Sequence, residues 1–245
     1  MVAHRLNTSP RLRCGGLRGS TSFKECLVNA IQEGEMSERD STEHYQVMTK
    51  ILGIGGSPRK GGNSDVLLKH ILMGAKKENV PTEKVQLRDY HYQSCIGCER
   101  CRKDGICKGI HDGMHLLYPK VREARGLVLV SPTHNYNITA LMKAFIDRLY
   151  CFYIFTDDRP RNWSSRLGNQ GRKALLAAVC EQPDPKDMGF TLEAMRLPFE
   201  ALGYVVQSEL PVFGIFDKAK VAEYPVVLEK AEKFGKELAR SLKGE

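Results

Sequence analysis

Four cysteines fall within one short stretch, SCIGCERCRKDGIC, residues 94–107. Cys95, Cys98 and Cys101 are three apart, so each thiolate returns to one side of a tight turn, and Cys107 follows after five further residues. Soft thiolates at this density can hold an iron-sulfur cluster, bind zinc or exchange disulfides. A structural zinc ordinarily joins two short knuckles a dozen or more residues apart, whereas here three ligands crowd seven positions. Disulfide chemistry at a single C-x-x-C would leave Cys101 and Cys107 without a role. A compact [4Fe-4S] cube suits the pattern C-x-x-C-x-x-C-x5-C, and Gly97 and Gly105 would let the backbone approach inorganic sulfide and reverse direction. Spacing alone leaves open the cluster, the zinc, the thiol pair and a loop that keeps its cysteines without a metal.

The start of the motif matches the C-x2-C-x2-C run of bacterial ferredoxins, although Lys108 stands where their proline follows the fourth cysteine. A second constellation lies upstream. GIGGSPRKGGNSD, residues 53–65, leaves an apolar run and enters a helical pattern, where unpaired backbone N–H groups and the positive dipole end attract an anion. It is no dinucleotide fingerprint, because Pro58 stands where the third glycine belongs after Gly53 and Gly55. Nor is it a nucleoside-triphosphate loop: Gly56 and Gly61 have the four-residue gap, but Gly62 and Asn63 replace the lysine and hydroxyl residue. What remains is an arc of Ser57, Arg59, Asn63 and Ser64, suited to a terminal monophosphate held by neutral donors and one guanidinium. Asn63 is expected to cap the helix, with Asp65 in its first turn.

The elements that must position these groups alternate from Lys50 onward. KILGIGG, EKVQLRDY, GLVLVSP, RKALLAAVC and GYVVQSELPVFG read as five strands, with helical patterns between most of them. Leu67, Leu68, Ile71, Leu72 and Ala75 share one face of the first helix. Ile138, Leu141, Phe145 and Leu149 mark a later helix, and Val227, Ala231, Phe234, Leu238 and Leu242 the last. Strands as uniformly apolar as GLVLV belong to a sheet covered on both faces. The expected fold is therefore α/β, a flavodoxin-like doubly wound five-stranded parallel sheet of order 2-1-3-4-5, with ligands beyond the carboxyl ends of the strands. Two connections are long enough to be functional: the cysteine loop, 94–112, after strand 2, and CFYIFTDDRPRNWSSRLGNQG before strand 4. In the latter, the aromatics of 151–155 and Trp163 read as core or subunit interface, and DDRPR as a solvated turn.

Composition narrows the class. The net charge of +8 comes from bases interspersed with acids rather than from a dense basic run, which argues against a nucleic-acid partner. No run of about 18 apolar residues offers a membrane span. Cys14, Cys26, Cys151 and Cys180 share no spacing and read as small hydrophobes, and the cysteine usage suits a reducing cytoplasm. Residues 1–47 are polar and aperiodic, with five Arg or Lys and no acid up to Lys24, and are expected to be a poorly ordered extension before a domain over 48–245. A transit peptide and a start assigned too far upstream, with Met36 and Met48 as alternatives, explain it equally well.

GGSPRKGGNSD together with SPTHNYNITALMKAFIDR resembles the flavodoxin-like NADPH-dependent FMN reductase superfamily, and the cysteine loop between them resembles its iron-sulfur flavoprotein branch. The resemblance covers Lys50 to about Leu242. It implies that Ser57, Arg59, Gly62, Asn63 and Ser64 cradle the FMN phosphate and that Pro132, Thr133, His134, Asn135 and Tyr136 border the isoalloxazine ring. It implies that Cys95, Cys98, Cys101 and Cys107 hold a single [4Fe-4S] cluster, and that Ala144 to Arg148 serve structure rather than catalysis. A third cofactor loop is expected at CEQPDPKDMG, with Glu181 as a candidate. The chain departs from the pattern at His134, where the family commonly has an aromatic, and at Tyr136, where it has Gly. The implied activity is electron transfer between the cluster and FMN in a homo-oligomer, with a ferredoxin-like or NAD(P)H donor and no catalytic side chain assigned. The alternatives are an NAD(P)H-dependent FMN or quinone reductase without a cluster, and a zinc-stabilised α/β binding module.

Overall fold

The computed structural model describes residues 50–244, so the expected extension lies outside the described residues. The chain runs β1 (Ile51–Gly55), α1 (Asn63–Lys76), β2 (Thr82–Gln86), α2 (Met114–Glu123), β3 (Gly126–Pro132) and α3 (Ala140–Arg148). It continues through β4 (Tyr153–Phe155), β5 (Trp163–Ser165), β6 (Arg172–Val179), α4 (Glu193–Ala201), β7 (Tyr204–Val212) and α5 (Pro225–Lys243). Five strands form one parallel sheet, β2-β1-β3-β6-β7, which is the expected order 2-1-3-4-5. The antiparallel pair β4-β5 was not expected; its strands, YIF and WSS, are too short to show a period. Among the described residues no helix is long and apolar enough to cross a membrane.

Alternate strand residues face opposite layers, which is why both kinds must be apolar. Leu52, Ile54, Leu127, Leu129 and Leu176 point into a core closed by α2, α3 and α4, through Val121, Phe145 and Phe199 among others. Ile51, Val128, Val130 and Leu175 point the other way, against Leu67 and Ile71 of α1 and Leu238 of α5. The helices α1 and α5 touch backbone to backbone. A Cβ on Gly74 would lie 2.0 Å from the Glu232 carbonyl oxygen, and one on Gly235 would lie 1.9 Å from that of Ile71.

Two local expectations are corrected. The helix after β3 starts later than its apolar spacing suggests, because the Thr139 hydroxyl accepts the Met142 N–H (3.1 Å) and caps it. Ile138 therefore precedes the helix and Leu149 lies in the 3-10 turn beyond it; the buried face is Met142, Phe145, Ile146 and Arg148. The cap of α1 is Gly62, and Asn63 is the first helical residue, its side chain drawn elsewhere. Between β2 and α2, residues 91–113 contain neither helix nor strand.

Candidate functional site

The glycine loop leaves β1 at the carboxyl edge of the sheet and is pinned there by backbone. Gly56 N–H donates to Val130 (2.8 Å), and its carbonyl accepts the Thr139 hydroxyl (2.7 Å). On the other side Thr133 N–H donates to Val179 (2.8 Å), carrying the end of β3 onto β6. Between these edges lies a cleft of about 570 Å³, counting its open mouth, a size in the range of small-molecule sites. Ser57, Arg59, Gly62, Asn63 and Ser64 line one wall; Pro132, Thr133 and His134 line another, with Glu181 beside them. Asn135 and Tyr136 do not line it.

Within the loop, the Ser57 hydroxyl accepts the Arg59 N–H (3.2 Å). The Arg59 guanidinium lies 4.5 Å from the centre of the Phe216 ring and donates to the Phe216 carbonyl (3.4 Å). Asn63 is fully occupied by the segment after β7. Its amide donates to the carbonyls of Asp217 (3.0 Å) and Phe216 (3.4 Å), and its oxygen accepts the Val221 N–H (3.0 Å). Asn63 thus brings Phe216 and Lys218 to the cleft, and sequence reasoning missed both because their contact is made more than 150 residues away. Arg88 was missed as well, because its partners stand 23 and 31 residues away on other elements. It pairs bidentately with Asp65 (3.0 and 2.7 Å) and donates to the Ser57 carbonyl (3.0 Å), tying the turn after β2 to the first turn of α1.

His134 to Asn137 form a two-residue turn with reciprocal backbone hydrogen bonds of 2.8 and 3.0 Å. Both central residues have positive φ, +47° at Asn135 and +62° at Tyr136. Such turns favour Asn then Gly, so a bulky Tyr136 in the second place is held against its preference. Its carbonyl accepts the Phe190 N–H (2.8 Å), and Gly189 abuts it so closely that a Cβ there would lie 2.3 Å from the Tyr136 oxygen.

The structure brings all four motif cysteines to one pocket of about 350 Å³, together with Cys151 and Arg148. Cys151 is therefore more than a bystander in the core. Gly109 stands where a Cβ would lie 2.5 Å from Cys98 Sγ, so only glycine leaves that thiol its place. Gly97 N–H donates to Cys95 Sγ (3.5 Å), and Arg148 Nη2 donates to Cys107 Sγ (3.6 Å). Burial works against the Cys107 thiolate, but the backbone at Ile110, the Tyr118 hydroxyl and the Arg148 charge outweigh it and hold the thiol below its ordinary pKa. Burial and the neighbouring thiols push Cys101 up, and burial pushes Cys151 up to about 12.

Among the described residues, no three of His, Cys, Asp or Glu converge to hold a single metal ion. The four motif cysteines line one pocket. Tetrahedral zinc needs four ligands at one centre about 2.3 Å away, whereas in a cube each thiolate meets its own iron. Four cysteine thiols lining one pocket are a donor set of the kind that holds an iron-sulfur cluster. The hairpin β4-β5 braces this loop: Arg161 donates to Glu99 (2.6 Å), Asp157 accepts from Arg102 (3.0 Å), and Arg166 donates to the Arg102 carbonyl (2.9 Å).

The sequence profile of the NADPH-dependent FMN reductase family matches residues 49–209. The chain belongs to this family. Within it the likeness runs to iron-sulfur flavoproteins: one from Archaeoglobus fulgidus is 30% identical over 177 residues, covering 72% of this chain and 79% of its own length. One from Methanocaldococcus jannaschii is 37% identical over 99 residues, covering 40% of this chain and 51% of its own length, so the match spans about half of that relative. Solved structures share the family fold. An NAD(P)H:quinone oxidoreductase from Methanothermobacter marburgensis superposes with a TM-score of 0.57 at 15% identity, covering 78% of this chain and 98% of that one. An FMN-dependent NADH-azoreductase from Bacillus anthracis gives 0.56 at 20% identity, covering 80% and 99%.

Proposed function

We propose that this family member is an FMN-dependent oxidoreductase that passes electrons between FMN in the cleft and a [4Fe-4S] cluster held by Cys95, Cys98, Cys101 and Cys107. The observation that carries the reading is the gathering of all four cysteines at one pocket. FMN supplies the exchange between two-electron and one-electron chemistry that a cluster alone lacks.

The residues divide the work. Ser57, Ser64 and the N–H groups opening α1 cradle the phosphate, with Arg59 over its outer side. Ser57 and Ser64 are buried, so their hydroxyls meet an anion without competition from bulk water. Asn63 holds the Phe216 segment as a further wall. Pro132, Thr133 and His134 border the flavin ring, while Asn135 and Tyr136 shape the turn at its edge. Arg148 donates to Cys107 Sγ, and its charge favours the thiolate there. The protein works as a cytoplasmic homo-oligomer, its electrons arriving from NAD(P)H or from an acidic ferredoxin-like donor steered by the net charge of +8.

The test is an anaerobic visible spectrum with iron, acid-labile sulfide, zinc and flavin quantified on one sample. Iron and sulfide at about four each per FMN support the reading. FMN with neither, after reconstitution under reducing conditions, overturns the cluster and leaves an NAD(P)H-dependent FMN or quinone reductase; zinc without flavin overturns both.

A further inference from the structure

Arg148 ends α3 among apolar neighbours, its side chain 1% exposed. A guanidinium so placed is costly unless every N–H finds an acceptor. Here each does. Nε donates to the Tyr118 hydroxyl (3.2 Å), and Nη1 donates to Asp112 Oδ2 (2.6 Å) and the Gln93 carbonyl (2.9 Å). Nη2 is shared among Asp112 Oδ1 (3.0 Å), the Ile110 carbonyl (3.4 Å) and Cys107 Sγ (3.6 Å).

These acceptors lie at both ends of one loop. Gln93 precedes Cys95, whereas Ile110 and Asp112 follow Cys107. Asp112 repeats the closure, accepting the Gln93 N–H (2.9 Å) with one oxygen and the Met114 N–H (3.1 Å) at the start of α2 with the other. The loop's other charged contacts, at Glu99 and Arg102, stand nearer the solvent, where ion pairs contribute little. Lysine could not replace this arrangement, because its three donors radiate from one nitrogen and cannot span two carbonyls, a carboxylate and a sulfur.

We propose that Arg148 is the positioning residue of the cysteine pocket. It closes the loop at its base in the metal-free protein, so that the thiols are gathered before iron arrives, and it leaves one N–H on Cys107 Sγ for the bound cluster to feel. The second half rests on the cluster assigned above; the first does not.

The experiment uses metal-free, FMN-loaded full-length protein, labelled with iodoacetamide and read cysteine by cysteine by mass spectrometry. Arg148→Lys is compared with the double variant Arg148→Met, Asp112→Asn, which leaves no buried carboxylate orphaned. In the wild type the buried Cys101 is expected to label more slowly than the exposed Cys95 and Cys98. In both variants Cys101 is expected to label about tenfold faster or more, through local opening, while Cys180, outside the pocket, stays protected and FMN content is unchanged. After reconstitution, the double variant's cluster is expected to titrate at a lower midpoint potential, since losing an N–H to a ligand sulfur disfavours the added electron. Unchanged Cys101 labelling overturns the proposal. So does simultaneous exposure of Cys180, which would make Arg148 a residue of general stability, and so does an unshifted potential for the electrostatic half. A wild type that assembles no cluster would instead overturn the functional reading, and the labelling would still decide the role of Arg148.

Discussion

The cleft and the cysteine pocket are built by opposite means. The cleft is made of strand ends and a helix start, and its shape follows from ladder hydrogen bonds such as Gly56 to Val130 and Thr133 to Val179. The pocket is made of residues with no regular structure, held from outside by side chains of α3 and of the β4-β5 hairpin. A site built from backbone tolerates most single substitutions around it. One built from side chains depends on a few of them and on whatever occupies it.

Removing one thiol is the sharpest way to break this contrast. Cys98→Ser should lose the cluster altogether while FMN content stays within about twofold, as expected for independent sites; loss of both in iron and flavin assays would mean the loop supports the cleft. Asn63→Ala should come next, because it removes three hydrogen bonds to the segment after β7. Thermal or urea unfolding should show a loss of about 2 kcal/mol, with weaker FMN binding and normal iron content. Arg59→Ala should weaken FMN about tenfold, measured by flavin fluorescence, since it removes one charged hydrogen bond at a solvent-open wall. An unchanged affinity would remove Arg59 from the phosphate site. The smallest effect is expected at Tyr136→Gly, which relieves a left-handed residue and should stabilise the fold by up to about 1 kcal/mol, offset by the freer unfolded chain.

Where sequence and structure agree, the signal was local. Five apolar runs separated by helical periods were enough for the sheet order, and the glycine loop and cysteine spacing were each contained in fewer than fifteen residues. Where they part, distant contacts prevailed. Asn63 has the chemistry of a helix cap, but Gly62 takes that place because the asparagine amide finds Asp217 and Val221 instead. Phe216 and Lys218 carry no local mark of belonging to the cleft, nor Arg88 of bracing its loop. The two short strands around Thr156 and Asn162 are equally silent, since three residues cannot display alternation. Arg148 was legible as part of a structural motif; its closure of the cysteine loop was not, because its acceptors at Gln93, Cys107, Ile110, Asp112 and Tyr118 stand 30 to 55 residues away.

The meeting of Gly74 with Glu232 and of Gly235 with Ile71 lies about 12 to 16 Å along α1 from the helix's first residue. A rigid helix acts as a lever, and an added methyl at either glycine must push α5 away or tilt α1 about that point. The tilt would reappear at Asn63 and Ser64 as a change in where the first N–H groups aim. A mutagenesis screen for retained yellow colour should therefore return hits at this crossing, in residues that no ligand could reach.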